Sequence, residues 1–215
     1  PRSRICIVPN SPLGEAGIKK STFLNSRLDI PTAKKIILQA GAIAKWSRCL
    51  PVSQAALDWP DDWVLVLHGF VIDEGLEIIN SLKEIEKDSG VVLSLNPVSN
   101  AQLEEIYSSA YIGLALYEKR DENFLNMAGC SGKLIYSLKC GVPVIASDIP
   151  SLRRVILGYK CGVIVNDESE IESAIYKIIS EYDTYQTNAI RCYNELYNIE
   201  NRFQDVLKKL KSLEK

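Results

Sequence analysis

The chain has 215 residues, of which 47% are hydrophobic and 24% are charged, as expected for a folded globular protein. The formal net charge is −2 at pH 7 and the basic residues do not form one long run, so the composition does not favour a nucleic-acid partner. No apolar stretch is long enough to cross a bilayer and no signal peptide is visible. Because the first residue is Pro1 and not Met, we expect the chain to be a piece of a longer protein.

Seven short apolar runs bounded by turn residues predict β-strands along the chain. They are Ile5–Val8, Lys35–Gln39, Trp63–His68, Val91–Leu95, Ile112–Tyr117, Val142–Ala146 and Gly162–Val165. Strands that are apolar at nearly every position are buried on both faces, which is typical of parallel sheets.

Segments with helical spacing lie between these strands. They are Ala44–Leu57, Glu74–Lys87, Ala101–Ser109 with Asn100 as its N-cap, the segment from Ser131 to Gly141, Glu168–Tyr182, and a long C-terminal helix from Thr184. The stretch Asn10–Pro31 has no clear period and is predicted to be an irregular connector. Strands that alternate with helices predict an α/β fold with a Rossmann-like, doubly wound parallel sheet.

The cysteines and the single histidine give little support to a metal site. No two of the six cysteines are spaced as C-x-x-C, and His68 is the only histidine, so we predict neither a metal nor a cofactor. Most of the cysteines lie in apolar surroundings, which fits a reducing compartment. We therefore predict a cytoplasmic protein.

The helix start at Ser131, Gly132 and Lys133 is the strongest candidate site. It follows the strand at Ile112 and a polar loop, so it belongs at the carboxyl edge of the sheet, where ligands of such folds bind. Free N–H groups and a lysine at a helix start suit an anion such as a diphosphate. A solvated lysine beside an ordinary N-cap is the alternative interpretation.

Three further candidates follow other predicted strands. Gly41 would let a ligand approach the backbone, and Lys45 and Arg48 could reach a diphosphate, although they could equally be a solvent-facing basic pair. His68 ends a buried strand and could contact a nucleotide or form a structural hydrogen bond. Glu118 could bind sugar hydroxyl groups or belong to a solvated loop.

Several segments together resemble one known family. Gly141–Ala146 reads GVPVIA and is similar to the family pattern G-x-PVia, and Ser131–Leu138 is similar to a variant written snKl.eyl. Leu38–Gly41, Val64–Gly69 and Asn96–Tyr107 resemble its yvG start, its lvivG strand and its G-x-v…el..ly segment. These motifs resemble the C-terminal, donor-binding domain of GT-B glycosyltransferases of the retaining group 1 type, and the resemblance covers nearly the whole chain.

The resemblance implies a site for a nucleotide diphosphate sugar. Phosphate contacts are implied for the segment of Ser131, Gly132, Lys133 and Leu134 and for Lys45 or Arg48, and base contacts for Pro97 and Val98. Many relatives have two glutamates eight positions apart, which contact the ribose and the sugar. This chain has Ala128 and Tyr136 there, so Tyr136 is included among the candidate substrate contacts and no catalytic residue is assigned.

The resemblance also implies a domain organisation and a reaction. Residues 1–34 would be an interdomain crossing segment and connector, 35–183 the nucleotide-sugar-binding domain, and 184–215 a C-terminal helix. The predicted function is sugar transfer from the donor to an acceptor held by a missing N-terminal domain, so that this chain alone transfers no sugar. A GT-B sugar-nucleotide epimerase and a non-catalytic interaction module are the alternatives. The basic run KKLK at 208–211 leaves open a peripheral contact of the full-length protein with a membrane.

Overall fold

The computed structural model describes Cys6, residues 8–87 and residues 90–213. In this part of the chain six strands form one parallel sheet in the order β3-β2-β1-β4-β5-β6. They are β1 (Lys35–Ile43), β2 (Trp63–Val71), β3 (Val91–Ser94), β4 (Ile112–Ala115), β5 (Val144–Ser147) and β6 (Gly162–Val165). The predicted Rossmann-like fold is thereby confirmed, and the strand order reverses between β1 and β4.

Ten α-helices lie before, between or after these strands in the described residues. They are α1 (Phe23–Arg27), α2 (Cys49–Ala55), α3 (Ile79–Glu86), α4 (Asn100–Ser108), α5 (Glu122–Leu125), α6 (Gly132–Lys139), α7 (Pro150–Tyr159), α8 (Ile171–Ser180), α9 (Tyr182–Cys192) and α10 (Ile199–Leu213). One apolar core packs α2, α3 and α8 on one face of the sheet, and two further clusters pack α4, α6, α7 and α9 on the other. None of these helices is long and apolar enough to cross a membrane.

The strands are apolar on both faces because both faces are covered. All four residues of β4 are buried, for example, although the strand ends at Ala115 and not at the predicted Tyr117. β1 and β2 run further than predicted, because Gly41 pairs with Gly69 and the register continues to their last residues. A Cβ atom on Gly69 would lie 1.8 Å from the Gly41 carbonyl oxygen, so this close passage requires glycine.

Helix α6 packs closely on the central strand β4. A Cβ atom on Gly113 would lie 2.3 Å from Ser137 Oγ, so the glycine in β4 is what lets the helix approach the sheet. This contact fixes the first turn of α6 beside the carboxyl ends of β1 and β4, where the strand order reverses.

Several predicted helices differ from the observed ones at their beginnings. Helix α4 begins at Asn100 and its N-cap is Ser99, which forms a capping box with Gln102. The segment predicted as one helix at Ala44–Leu57 is divided by Arg48, whose φ of 60° is left-handed. Pro51 then lies in the first turn of α2, where proline is tolerated.

Other differences concern segments for which periodicity was weak. The connector Asn10–Pro31 contains α1, and α5 and α7 were not predicted. The long C-terminal helix is interrupted at Asn198, which leaves the helical region and accepts a hydrogen bond from the backbone of Asn201 to start α10. Two of the four residues of the strand predicted at Ile5–Val8 lie outside the described residues, and Cys6 and Val8, which are described, are not in a strand.

Candidate functional site

A pocket of about 510 Å³ opens at the carboxyl ends of β1 and β2, next to the point where the strand order reverses. Its walls come from the ends of these two strands, the loop after β3, the start of α4 and the first turns of α6. This is the position at which open α/β sheets bind their ligands, and the volume is in the range of small-molecule sites.

Lys133 is the buried cation of this pocket. Its side chain is only 5% exposed, yet in the described residues no carboxylate forms an ion pair with its Nζ atom. The ammonium donates to the Leu116 carbonyl oxygen at 3.5 Å and lies over the rings of Tyr117 and Trp46, at 4.6 and 5.7 Å from their centroids. Burial lowers the pKa of Lys133 to about 8. Since buried charges in proteins are normally paired, the lysine is set up for an anion that comes from outside.

The start of α6 adds hydrogen-bond donors to the same wall. Ser131 is the N-cap, its Oγ accepts from the Leu134 backbone N–H at 3.2 Å, and the Tyr117 hydroxyl is 2.6 Å from it. Gly132 has no side chain and an added Cβ would meet nothing within 4 Å. The first-turn N–H groups of a helix lack partners within the helix, so those of Gly132 and Lys133 are available to an oxygen-rich ligand.

The other side of the pocket is neutral and largely apolar. His68 is buried and its Nδ1 lies 2.9 Å from Ser94 Oγ, and burial, with a smaller effect of Arg27, lowers the His68 pKa below its usual value. The histidine is therefore neutral at pH 7. Pro97 and Val98 face it from the loop after β3.

Tyr136 lines the same pocket as the lysine and the Pro97–Val98 loop. Its ring stacks on that of Tyr107 with centroids 5.2 Å apart and an interplanar angle of 14°. Val98 packs against the same apolar cluster. Eight of the predicted candidates thus line one pocket; they are Gly41, His68, Pro97, Val98, Ser131, Gly132, Lys133 and Tyr136.

The remaining four candidates do not line this pocket. Leu134 is fully buried in the core and contributes only its N–H to the Ser131 cap, and Lys45 is exposed to solvent. Arg48 donates two hydrogen bonds to the Glu168 carboxylate, at 2.7 and 2.5 Å. Arg48 and Glu118 line a separate polar cavity of about 370 Å³ beyond β4, near the ends of β5 and β6.

Aromatic residues of the pocket were missed by the sequence analysis. Trp46 stacks on Tyr117 with centroids 6.1 Å apart and an angle of 7°, and Phe70 is exposed at the mouth. Tyr117 is the last residue of one predicted strand and Phe70 lies two residues beyond another, which is a usable signal. Trp46 and Tyr107 have no comparable signal, because their spacing is that of ordinary helical or core residues.

The arrangement favours binding of an anionic, partly aromatic ligand. The cation and the open helix N–H groups lie beside the rings of Tyr117 and Trp46, and Pro97 and Val98 add further apolar lining. The described residues contain no group of three or more His, Cys, Asp or Glu side chains that could hold a metal ion.

Residues 40–181 match the family model for glycosyl transferases group 1. Because this match covers well over half of the chain, the protein belongs to that family, and the resemblance seen in the sequence is confirmed. No curated protein matches the chain by sequence.

Solved structures of group 1 enzymes have the same fold as this chain. The sucrose-phosphate synthase of Thermosynechococcus elongatus superimposes with a TM-score of 0.71 at 19% identity, over 94% of this chain and 51% of that one. The C-terminal domain of LpcC, a group 1 glycosyl transferase of Francisella tularensis, gives 0.65 at 16% identity, over 86% and 96%. HepE of Anabaena, in complex with UDP and glucose, gives 0.64 at 14% identity, over 89% and 52%. The chain therefore has the size of one C-terminal domain and about half the length of the first of these enzymes.

Proposed function

We propose that the pocket binds a nucleotide diphosphate sugar and that the chain is the donor-binding part of a glycosyltransferase. Lys133 is the observation that carries this proposal, since it is a buried ammonium group at the start of a helix, and no carboxylate of the described residues is its partner. Within the proposal, residues 35–183 form the donor-binding domain, the sugar nucleotide is a substrate, and no cofactor is needed. The protein would act in the cytoplasm, where such donors are made.

A diphosphate would satisfy groups that the protein alone leaves unsatisfied. Its oxygens would accept from Lys133 and from the N–H groups at the start of α6, and charge-assisted hydrogen bonds of this kind are about twice as strong as neutral ones. The positive end of the helix dipole adds to the attraction. The complexes of HepE with UDP and with UDP-glucose support a nucleotide of this class.

The same groups account for the proposed chemistry. Transfer leaves negative charge on the departing diphosphate, and a buried ammonium with preorganised N–H groups stabilises such charge in the transition state. No side chain of the pocket is arranged as a nucleophile with its base. The acceptor would be bound by a further domain, and positioning of both substrates supplies much of the rate of such reactions.

A binding experiment tests the proposal. UDP, GDP, ADP, CDP and TDP are each added to the chain, and the unfolding midpoint is measured, followed by calorimetry for those that raise it. We expect at least one to bind and Lys133→Met to weaken its affinity about ten- to a hundredfold, because a charged hydrogen-bond donor is lost. Lys83→Met is the matched control, since Lys83 is exposed on α3 far from the pocket lining. Failure of all five nucleotides to bind would refute the proposal.

A second experiment tests the need for an acceptor domain. The chain is incubated with the donors of every nucleotide that binds and with a panel of sugar, lipid and protein acceptors. We expect slow donor hydrolysis at most. Acceptor-dependent turnover by the 215-residue chain would show that it is a complete enzyme.

A further inference from the structure

The ammonium group of Lys133 lies against two aromatic rings. Its Nζ atom is 4.6 Å from the centroid of Tyr117 and 5.7 Å from that of Trp46, within the distance of about 6 Å at which a ring face attracts a cation. The two rings are nearly parallel, with an interplanar angle of 7° and centroids 6.1 Å apart. In the described part of the chain, these ring faces therefore give the ammonium the favourable electrostatic contact that a carboxylate normally gives a buried lysine.

Trp46 is fixed in this position by contacts on both sides. It belongs to the short loop after β1, and its carbonyl oxygen accepts a hydrogen bond from the Glu118 backbone N–H at 2.8 Å. The Gln39 side-chain amide donates to the Ser47 carbonyl oxygen at 2.6 Å. The edge of Phe124 packs against the indole, with centroids 5.5 Å apart and an angle of 72°. Because its backbone and its ring are both held, the indole stays beside the ammonium group without a ligand.

The stem of Lys133 reaches the two rings by passing over Gly41. A Cβ atom on Gly41 would lie 3.4 Å from Lys133 Cε, so the glycine leaves room for the stem. Beyond it, the ammonium donates to the Leu116 carbonyl oxygen at 3.5 Å, which is long for a hydrogen bond. A bond of this length stabilises a charge only weakly, so the contact with the rings is the main one that remains.

The described titratable groups around Lys133 are hydroxyls, thiols and one imidazole, and none of them is a carboxylate. Burial lowers the pKa of Lys133, and the neighbouring Cys49 raises it by a smaller amount. Burial raises the pKa of the Tyr117 hydroxyl, so this ring is neutral at pH 7. The other titratable residues that line the pocket are His68, Tyr107, Cys130 and Tyr136.

We propose that Trp46 is a positioning residue, whose ring, together with that of Tyr117, keeps the Lys133 ammonium charged and directed into the pocket. A carboxylate in the same place would also stabilise the ammonium, but it would cancel the positive charge and repel an anionic ligand. A ring face stabilises the cation and leaves its net charge available. The effect on ligand binding rests on the proposed function, whereas the effect on the charge of Lys133 does not.

Fluorinated tryptophan tests the role of the ring face without changing its shape. Fluorine withdraws electron density from the indole face, so the attraction for a cation weakens while packing and burial stay nearly constant. The chain is produced with ¹³C-labelled lysine and with ordinary, monofluorinated or difluorinated tryptophan, and it is titrated by NMR. The Lys133 Cε signal is assigned by its loss in Lys133→Met. We expect the pKa of Lys133 to fall by about a few tenths of a unit with each added fluorine.

Trp46→Leu is the control for this titration. The chain has two other tryptophans, Trp59 and Trp63, which stay fluorinated in the variant and lie in the core on the other face of the sheet. The pKa of Lys133 in Trp46→Leu should not respond to fluorination. Trp46→Phe, whose ring carries no fluorine, takes its place if Trp46→Leu does not fold. A Lys133 pKa that stays constant in the parent chain, or that falls equally in the control, would overturn the proposal.

The pH dependence of nucleotide affinity tests the consequence for the ligand. Loss of the indole in Trp46→Leu should lower the pKa of Lys133 from about 8 by about one unit, so the protonated fraction at pH 8 falls from about a half to about a tenth. The nucleoside diphosphate that binds in the screen should therefore bind about fivefold more weakly than to the parent chain at pH 8, but within about twofold of it at pH 6. Trp46→Phe should restore most of the affinity at pH 8.

The two experiments separate this inference from the proposed function. An equal loss of affinity at pH 6 and pH 8 would mean that Trp46 only supports the pocket structurally, which overturns its positioning role and leaves the proposed function intact. If no nucleotide binds the parent chain, the proposed function fails. The NMR titration then still decides whether Trp46 holds the charge of Lys133.

Discussion

The two ends of α6 each carry a buried lysine, but the surroundings of the two differ. Lys133 and Lys139 are both 5% exposed. Lys139, in the last turn, forms an ion pair with Glu104 and donates to the Leu13 carbonyl oxygen. Among the described residues, Lys133, in the first turn, has only a carbonyl oxygen at 3.5 Å and two aromatic faces.

The helix dipole acts on the two lysines in opposite directions. A cation is favoured at the negative, C-terminal end and disfavoured at the positive, N-terminal end. Lys139 therefore has every contact that stabilises a buried charge, whereas Lys133 has burial and the dipole against it. Equal burial thus accompanies two different roles: Lys139 connects the amino-terminal segment to α4, and Lys133 is available to a ligand.

The largest effect on stability is expected for Lys139, at the C-terminal end of α6. Lys139→Met removes the buried one of the two cations paired with Glu104, which keeps Lys19, and also removes the donor to Leu13. We therefore expect the free energy of unfolding to fall by about 2–3 kcal/mol, less than for a fully buried pair because Glu104 is partly exposed. Urea unfolding at pH 7 measures it, with Lys83→Met as the control. A loss below about 0.5 kcal/mol, the scatter of surface substitutions, would contradict a structural role for Lys139.

Lys133, at the N-terminal end of α6, should behave in the opposite way. Lys133→Met exchanges an unpaired buried cation for an apolar side chain of similar length, so we expect the free energy of unfolding to rise by about 1–2 kcal/mol at pH 7. The same urea titration measures it. A loss of stability comparable to that of Lys139→Met would show that Lys133 has a structural role after all.

The pH dependence of stability distinguishes Lys133 from Lys139 in a third way. Its pKa of about 8 in the folded chain lies below the ordinary lysine pKa of 10.5, so between these pH values the unfolded chain binds more protons. The free energy of unfolding should therefore rise as the pH increases above 8. Below pH 8 Lys133 is charged in the folded chain, and the full cost of burying its charge is present. The difference in stability between the parent chain and Lys133→Met, followed from pH 7 to 9.5, isolates this effect, because the other titrating groups are the same in both chains.

The affinity for a nucleoside diphosphate should change in the reverse direction over the same interval. Because the anion needs the protonated ammonium, the dissociation constant should increase above pH 8 by up to about tenfold per pH unit. Calorimetry at pH 7.0, 8.0 and 9.0 measures it. An affinity that is constant over this range would mean that Lys133 does not pair with the ligand.

The last effect concerns the cap of the same helix. Ser131→Ala removes the acceptor of the Leu134 N–H and leaves the buried Tyr117 hydroxyl without its partner, so we expect a loss of about 1–2 kcal/mol. If the unpartnered Tyr117 hydroxyl causes part of this loss, the double variant Ser131→Ala/Tyr117→Phe should regain that part of the free energy of unfolding. Full additivity of the two substitutions in urea unfolding would exclude coupling between Ser131 and Tyr117.

The sequence by itself determined the fold class and the main binding element. Strands such as β4, apolar at every position, have to be buried on both faces, and their alternation with helices leaves a parallel sheet as the solution. The motif around Ser131 and Lys133 could also be recognised, because a polar residue, a glycine and a lysine after a strand mark a helix start with local rules alone.

Only the tertiary structure decided which charged side chains line the pocket and which residues form its walls. Arg48 is in the left-handed region and binds Glu168, which is 120 residues away in sequence, and no local pattern contains that pairing. Lys133 is unpaired and Lys139 paired because Glu104 on α4 packs beside only one end of α6. The stack of Tyr107 on Tyr136 likewise joins two helices. Local periodicity predicts which residues are buried, but the identity of the partner depends on how distant segments pack, and that is where the chemistry of this site is set.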